Sequence, residues 1–155
     1  MLRHPDNTNL RLHHDDTFEG LPVMVEKGPF VWQYLSRLKH TVDLALEQYS
    51  RLLAFRVDLR LPVGVDLPDH AYTNKVISRF VASFNAKIEH NRDKARERNL
   101  YAHDCKVRYV WAREVGWGGR PHYHLLILLN RDAFYTVGRL RSLVPNMISR
   151  MEEAW

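Results

Sequence analysis

The sequence has a single cysteine and no long run of apolar residues. Cys105 is the one thiol among 155 residues, so an intramolecular disulfide is excluded and a reducing, cytoplasmic location is the expectation. The longest apolar run near a predicted strand, Leu125 to Leu129, has five residues, whereas a membrane helix needs about 20. We therefore expect neither a disulfide scaffold nor a membrane protein.

Charge of one sign is not in large excess either. Lys and Arg number 23 against 18 Asp and Glu, which gives a formal net charge of +5 with neutral histidines. Apolar residues make up 45% and charged residues 26%, the balance of an ordinary globular protein of one domain. The mild basic excess is compatible with an anionic partner such as nucleic acid, but it does not identify one.

The hydrophobic periodicity predicts one α+β domain over residues 21–155, preceded by a flexible arm over residues 1–20 that has few large apolar residues. The predicted elements are, in order, a helix Val31–Leu52, a strand Leu53–Leu61, a helix after Asp69, strands at Lys106–Glu114 and His122–Leu129, and helical segments at Ala133–Val144 and Asn146–Trp155. The βαββα part of this order predicts a ferredoxin-like antiparallel sheet with helices on one face, and the first helix is an N-terminal addition to it.

The segment from Glu114 to Leu129 carries the candidate chemistry. Side chains two apart in a strand point to the same face, so His122 and His124 project together while Tyr123 points away. Glu114 ends the preceding strand, across a Gly-rich turn, and adds a carboxylate. Two imidazoles and one carboxylate suit a catalytic divalent metal such as Mn²⁺ or Mg²⁺, because coordination sites stay open for substrate. The structural alternative is a pair of exposed histidines on a solvated sheet face.

Cationic and aromatic residues near the predicted strands suggest contacts with single-stranded DNA. Arginines attract phosphates, and an exposed indole can stack on an unpaired base. The candidates are Arg56, Arg60, Arg113, Arg120 and Trp117.

The motif at residues 119–127, Gly-Arg-Pro-His-Tyr-His-Leu-Leu-Ile, resembles the His-hydrophobe-His motif of the HUH endonuclease superfamily. That superfamily contains the rolling-circle replication initiators and the relaxases, and the likeness is greatest to the inovirus-type replication proteins of filamentous phages. It runs from about Leu52 to Trp155. Residues 55–62 resemble the first-strand motif of the family, and Glu114 stands eight positions before His122, as the acidic metal ligand does in some initiators.

The resemblance implies a metal-dependent nick in single-stranded DNA during phage or mobile-element replication. In such enzymes the metal polarises the scissile phosphate and a tyrosine attacks phosphorus, which leaves a 5′-phosphotyrosyl link that the free 3′-hydroxyl later reverses. His122 and His124 correspond to metal ligands, and Glu114 to a third.

The sequence departs from the family at the nucleophile. The family tyrosine lies on a helix beyond a further strand, whereas only 31 residues follow His124 here and Tyr135 is the one tyrosine among them. We therefore expect an HUH-like domain that lacks its C-terminal tyrosine helix, with Tyr135 as the remaining candidate. Two other functions stay open: a DNA-binding or regulatory module on the same fold without catalysis, and a metal-dependent hydrolase that activates water.

Overall fold

The computed structural model describes residues 2–138 and 144–155, and it divides the chain into two units, Met1–Leu44 and Ala45–Trp155. The first helix, α1, begins in the first unit and ends in the second, and it spans Trp32–Gln48. The predicted helix over Val31–Leu52 is therefore present but ends four residues early. No helix in the described ranges is long and apolar enough to cross a bilayer.

The first unit contains short strands around the beginning of α1. Strands β1, β2 and β5 form one antiparallel sheet, and β3 and β4 form a hairpin. Their ranges are Arg3–His4 for β1, Asn7–His13 for β2, Thr17–Phe18 for β3, Leu21–Pro22 for β4 and Phe30–Val31 for β5.

Residues 1–20, which the sequence predicted as a flexible arm, contain strands β1, β2 and β3. The first unit also extends past the predicted boundary at residue 20, as far as Leu44. Strand β2 has backbone partners on both sides, and its residues are also held by side chains of α1. Gln33 accepts a hydrogen bond from the Arg11 backbone N–H at 3.0 Å and donates one to the Asn9 carbonyl at 2.9 Å. The Arg11 guanidinium lies 4.0 Å from the centre of the Trp32 ring, and Phe18 is buried edge-on against that ring. These contacts depend on residues distant in sequence, so the local composition did not reveal them.

The second unit has a three-stranded antiparallel sheet in the order β6-β8-β7, covered on one face by α2 and α3. The ranges are Leu52–Arg60 for β6, Lys75–Arg98 for α2, Arg108–Val115 for β7, Pro121–Asn130 for β8 and Met147–Ala154 for α3. The α+β class and the βαββα order are confirmed. Strand β8 lies between two strands that it pairs with in antiparallel fashion, which is the split βαβ order, while the full ferredoxin-like description stays a prediction.

The core forms because two periodicities meet. Alternate residues of β8 point to the helices, namely Tyr123, Leu125, Ile127 and Leu129, and each is at most 1% exposed. Helix α2 packs against them with one stripe of buried side chains spaced three or four residues apart, namely Ile77, Phe80, Phe84 and Ile88. Burying each of these large side chains contributes about 1.5–3 kcal/mol relative to leaving it exposed.

The predicted helix over Ala133–Val144 is wrong in its described part. Residues 131–138 form turns and irregular structure, and residues 139–143 lie outside the described ranges. The Asn130 side chain accepts the Asp132 N–H at 3.0 Å, which starts a turn at the end of β8. Gly138 has a φ of 91°, a conformation that a helix cannot contain. The last helix begins only after Asn146, whose side chain and that of Ser149 form a capping box.

Candidate metal centre

The face of the sheet opposite the core carries the two histidines, and we call it the histidine face. The antiparallel register places Asp58 of β6 directly opposite His124, and Glu114 of β7 directly opposite His122. Cross-strand partners point to the same side of a sheet. Three neighbouring strands therefore bring two imidazoles and two carboxylates to one position.

Glu114, His122 and His124 form a compact cluster. The Glu114 Oε2 atom lies 2.9 Å from His122 Nε2 and 3.0 Å from His124 Nε2. One ligand atom from each residue lies within 4.8 Å of the other two, and this is the sole such group of three or more in the described ranges. The structure thus brings together all three residues that the sequence predicted as metal ligands.

The donor set fits a divalent cation. Imidazole nitrogen and carboxylate oxygen are ligands that first-row divalent metals accept, and Mn²⁺ accommodates both. The carboxylate is 63% exposed, and the imidazoles of His122 and His124 are 16% and 26% exposed. A metal held there would therefore have protein on one side only, which leaves room for a large substrate.

Asp58 orients His124, a role that was not predicted from the sequence. Its Oδ1 atom lies 2.6 Å from His124 Nδ1, while the Arg56 guanidinium holds both carboxylate oxygens at 3.0 and 3.2 Å. Because Arg56 keeps Asp58 ionised, Asp58 accepts and His124 Nδ1–H donates. The 3.0 Å approach of Arg56 to the same nitrogen is then a contact between two donors rather than a hydrogen bond. This tautomer leaves Nε2 as the ligand atom, and a carboxylate behind a ligating histidine is the usual second partner in metal sites.

The charges of the cluster reinforce one another in the absence of a metal. The hydrogen bond to Asp58, followed by that to Glu114, raises the pKa of His124. The same contacts lower the carboxyl pKa values: His124 and then Arg56 act on Asp58, and His124 and then His122 act on Glu114. An imidazolium between two carboxylates satisfies all three groups, and a divalent cation would take the place of its Nε2 proton.

The five residues predicted to contact DNA have different surroundings. Arg56 is bound to Asp58, and Arg60 is exposed on the histidine face opposite His122. Arg113 points to the other face and donates to the Tyr72 carbonyl at 2.8 Å.

Arg120 and Trp117 belong to the turn between β7 and β8. The Arg120 guanidinium donates to the Pro62 carbonyl and, at 2.8 Å, to the Val65 carbonyl, so it ties the loop after β6 to this turn. Trp117 is fully exposed at the tip of the turn. Trp111, by contrast, packs against the core next to Tyr123.

Tyr135 follows the end of β8 that is farthest from the histidines. Asn130 ends the strand six residues after His124, about 20 Å along it, and Tyr135 lies in the irregular segment beyond, with its side chain 78% exposed. The helix on which Tyr135 was expected is absent from that segment, as described above. Its neighbour Phe134 is buried in the core.

Asp58 was recognisable in part from the sequence. The alternation of β6 already puts Asp58 on the charged side of its strand together with Arg56 and Arg60. Which residue of β8 would lie opposite it depends on the register of two strands separated by sixty residues, and no local pattern gives that register.

Comparison with known proteins places the chain in a family. Residues 13–155 match the YagK/YfjJ C-terminal domain. The chain is 34% identical over 116 residues to the protein YagK of Escherichia coli (strain K12), which covers 72% of the chain and 56% of YagK. It is 30% identical over 120 residues to YfjJ of the same organism, which covers 73% of the chain and 58% of YfjJ. The chain thus spans little more than half the length of these relatives. No solved structure matches it. The chain belongs to the YagK/YfjJ C-terminal domain family.

Proposed function

We propose that the chain is the metal-binding part of an HUH-type protein that nicks and joins single-stranded DNA in rolling-circle replication of a phage or mobile element, in the cytoplasm. The observation that carries the proposal is the convergence of Glu114, His122 and His124 on an exposed sheet face. The resemblance of residues 119–127 to the histidine motif of that superfamily supplies the reaction.

Each residue of the cluster has a definite role in this proposal. Glu114, His122 and His124 hold Mn²⁺ or Mg²⁺, and Asp58 keeps the proton of His124 on Nδ1 so that Nε2 stays available. When bound by these residues, a divalent cation would supply Lewis-acid polarisation of a phosphodiester oxygen, which favours attack at phosphorus. Arg60, exposed on the same face, attracts the negatively charged strand.

A second candidate function is DNA binding without catalysis, and the positions of two tyrosines favour it. Tyr123 stands between the histidines in sequence but is buried on the opposite face. Tyr135 follows the far end of β8. In this alternative the metal orders the bound strand but no covalent step occurs on this chain. In the first proposal the nucleophile is Tyr135 or a residue of a longer chain.

Calorimetry with Mn²⁺ tests the metal site. We compare the unaltered chain with His122→Ala/His124→Ala and with the matched control His40→Ala/His103→Ala, which removes two exposed histidines outside the site. The proposal expects binding in the chain and the control and at least a hundredfold loss in the site variant, because one carboxylate cannot hold the ion alone. Equal binding by all three proteins, or none by any, contradicts it.

A nicking assay then separates the functions. The unaltered chain, its His122→Ala/His124→Ala variant and Tyr135→Phe are incubated with end-labelled single-stranded oligonucleotides and Mn²⁺. A protein–DNA adduct that survives denaturation and is lost in Tyr135→Phe identifies that tyrosine as nucleophile. Cleavage without an adduct points to a hydrolase that activates water, and metal-dependent binding without cleavage supports the non-catalytic module.

A further inference from the structure

A basic groove runs between α2 and α3, the helices that cover the core face of the sheet. Its volume is about 760 Å³. The charged side chains that line it are five cations and one acid, namely Lys87, Arg92, Lys94, Arg98, Arg150 and Glu153. The metal cluster lies on the other face of the same sheet, so the proposed function uses none of these residues.

The cations follow one stripe of α2. Lys87, Lys94 and Arg98 recur at steps of seven and four, which places them on the same side of the helix. The lining on α2 extends from Ser83 to Arg98, or about 22 Å at 1.5 Å per residue. One strand of duplex DNA carries a phosphate every 3.4 Å of axis, so about six phosphates of each strand fall within this length, and those on the near side of the duplex face the stripe.

The arginines of the groove lack carboxylate partners. In the part of the chain that the structure describes, neither Arg98 nor Arg150 has a side-chain ion pair within bonding distance, and Arg92 donates to Asn91 and to the His103 carbonyl. The two lysines differ from them. Lys87 pairs with Glu153 at 2.7 Å and links the two helices, and Lys94 pairs with Glu97 at 3.0 Å on the exposed side of α2.

The Phe134 ring is next to two of these guanidinium groups. The guanidinium carbon lies 4.5 Å from the centre of the Phe134 ring for Arg92 and 6.0 Å for Arg150. Both side chains are partly buried, and desolvation lowers the pKa of each arginine, that of Arg92 being lowered further by Arg150. Two positive charges that are partly desolvated beside one aromatic ring are stabilised by an anion that enters the groove.

We propose that this groove binds the phosphate backbone of DNA, without reading its sequence, as a second contact on the side of the sheet away from the metal cluster. Among the residues that the structure describes, the lining contains no Trp, Tyr or Phe that would stack on bases. The small residues Ser83, Ala86 and Ala95 let a backbone approach closely. Guanidinium groups without carboxylate partners are suited to phosphates, which they bind with two parallel hydrogen bonds.

Fluorescence anisotropy in EDTA tests the groove without the metal site. We measure dissociation constants for labelled single-stranded and duplex DNA of the same sequence between about 50 and 200 mM salt. The variant Lys94→Glu/Arg98→Glu reverses two exposed charges in the groove, and Lys75→Glu/Arg79→Glu makes the same charge change at the other end of α2, outside it. Arg150→Gln is a second groove variant that adds no acidic charge.

The proposal expects both groove variants to weaken binding, Lys94→Glu/Arg98→Glu by about tenfold or more. In that variant the slope of log affinity against log salt falls by about 0.7–0.9 for each phosphate that the groove no longer neutralises. The control keeps most of the affinity. Because EDTA removes the metal from every measurement, failure of the metal site and failure of the groove are distinguishable. Two results would overturn the proposal. One is unchanged affinity and unchanged salt slope in both groove variants, and the other is an equally large drop in affinity in the groove variant and in the control. Displacement of DNA by an equal charge of poly-glutamate would also overturn it in favour of an acidic protein partner.

Discussion

Strand β8 places its side chains alternately on two very different surfaces. The odd-numbered residues from Tyr123 to Leu129 are buried beneath α2 and α3, and their type is set by packing. The even-numbered His122 and His124 face Asp58 and Glu114 on the histidine face. One strand thus supports the fold with one side and a candidate metal site with the other.

The two faces of β8 differ in how much they contribute to folding stability. Exposed ion pairs contribute about 0–1 kcal/mol each, much less than a buried leucine, so folding does not require the charged cluster. An imidazole between two carboxylates, with an arginine behind one of them, is therefore best explained by a role other than stability. Substitutions on the core face should therefore lower the free energy of unfolding, and substitutions on the histidine face should lower metal affinity.

The largest effect is expected for two adjacent leucines that point to opposite faces. Leu125 is 1% exposed on the core face, whereas Leu126 is partly exposed on the histidine face. Leu125→Ala should lower the free energy of unfolding by about 2–5 kcal/mol, because it leaves a cavity, and Leu126→Ala should lower it by less. Urea denaturation measures both. Equal losses would mean that the two faces are packed alike.

A smaller effect, confined to metal affinity, is expected for Asp58→Asn. The amide no longer attracts the Nδ1 proton of His124, so Nε2 is available as a ligand less often, and Mn²⁺ affinity should fall by about 10–100-fold. Asp66→Asn removes an exposed carboxylate from the loop after β6 and is the matched control. Calorimetry gives the affinities and urea denaturation the stabilities. A large loss of stability with unchanged metal affinity would assign Asp58 to the fold instead.

Arg120, directly before β8 begins, gives a third test. The sequence suggested a phosphate contact for this residue, whereas in the structure its guanidinium donates to two carbonyls. Arg120→Ala should lower the free energy of unfolding by about 1–2 kcal/mol and speed hydrogen exchange in residues 61–67. Arg131→Ala, at the opposite end of the strand, is the control. Weaker DNA binding with unchanged stability and exchange would restore the phosphate contact.

The sequence was sufficient where a local period decides the structure. The apolar run at the end of residues 122–129 predicted the strand, and the four-residue spacing of Phe80, Phe84 and Ile88 predicted the helix and its buried face. The ligand set was also predictable, because Glu114 and His122 flank one hairpin and the turn between them limits their register.

Where non-local contacts decide, the sequence was insufficient. Asp58 meets His124 only through pairing across sixty residues, and β2 is ordered by Gln33 and Trp32 from a later helix. The segment after Asn130 has helical periodicity, yet the turn made by the Asn130 side chain and the positive φ of Gly138 prevail over it. Each of these depends on atoms that a window of neighbouring residues does not contain.

The smallest effect is expected for Trp117, compared with the other tryptophan of the same hairpin. Trp111 packs against the core, so Trp111→Ala should lower the free energy of unfolding by about 3 kcal/mol. Trp117 is fully exposed, so Trp117→Ala should leave unfolding unchanged. If its indole stacks on one unpaired base near the metal cluster, affinity for single-stranded DNA should fall about fivefold to tenfold, or about 1 kcal/mol, while affinity for duplex DNA stays the same. Anisotropy with both substrates measures this difference. Equal affinities of Trp117→Ala and the unaltered chain for the single strand would exclude a base contact at the tip of the hairpin.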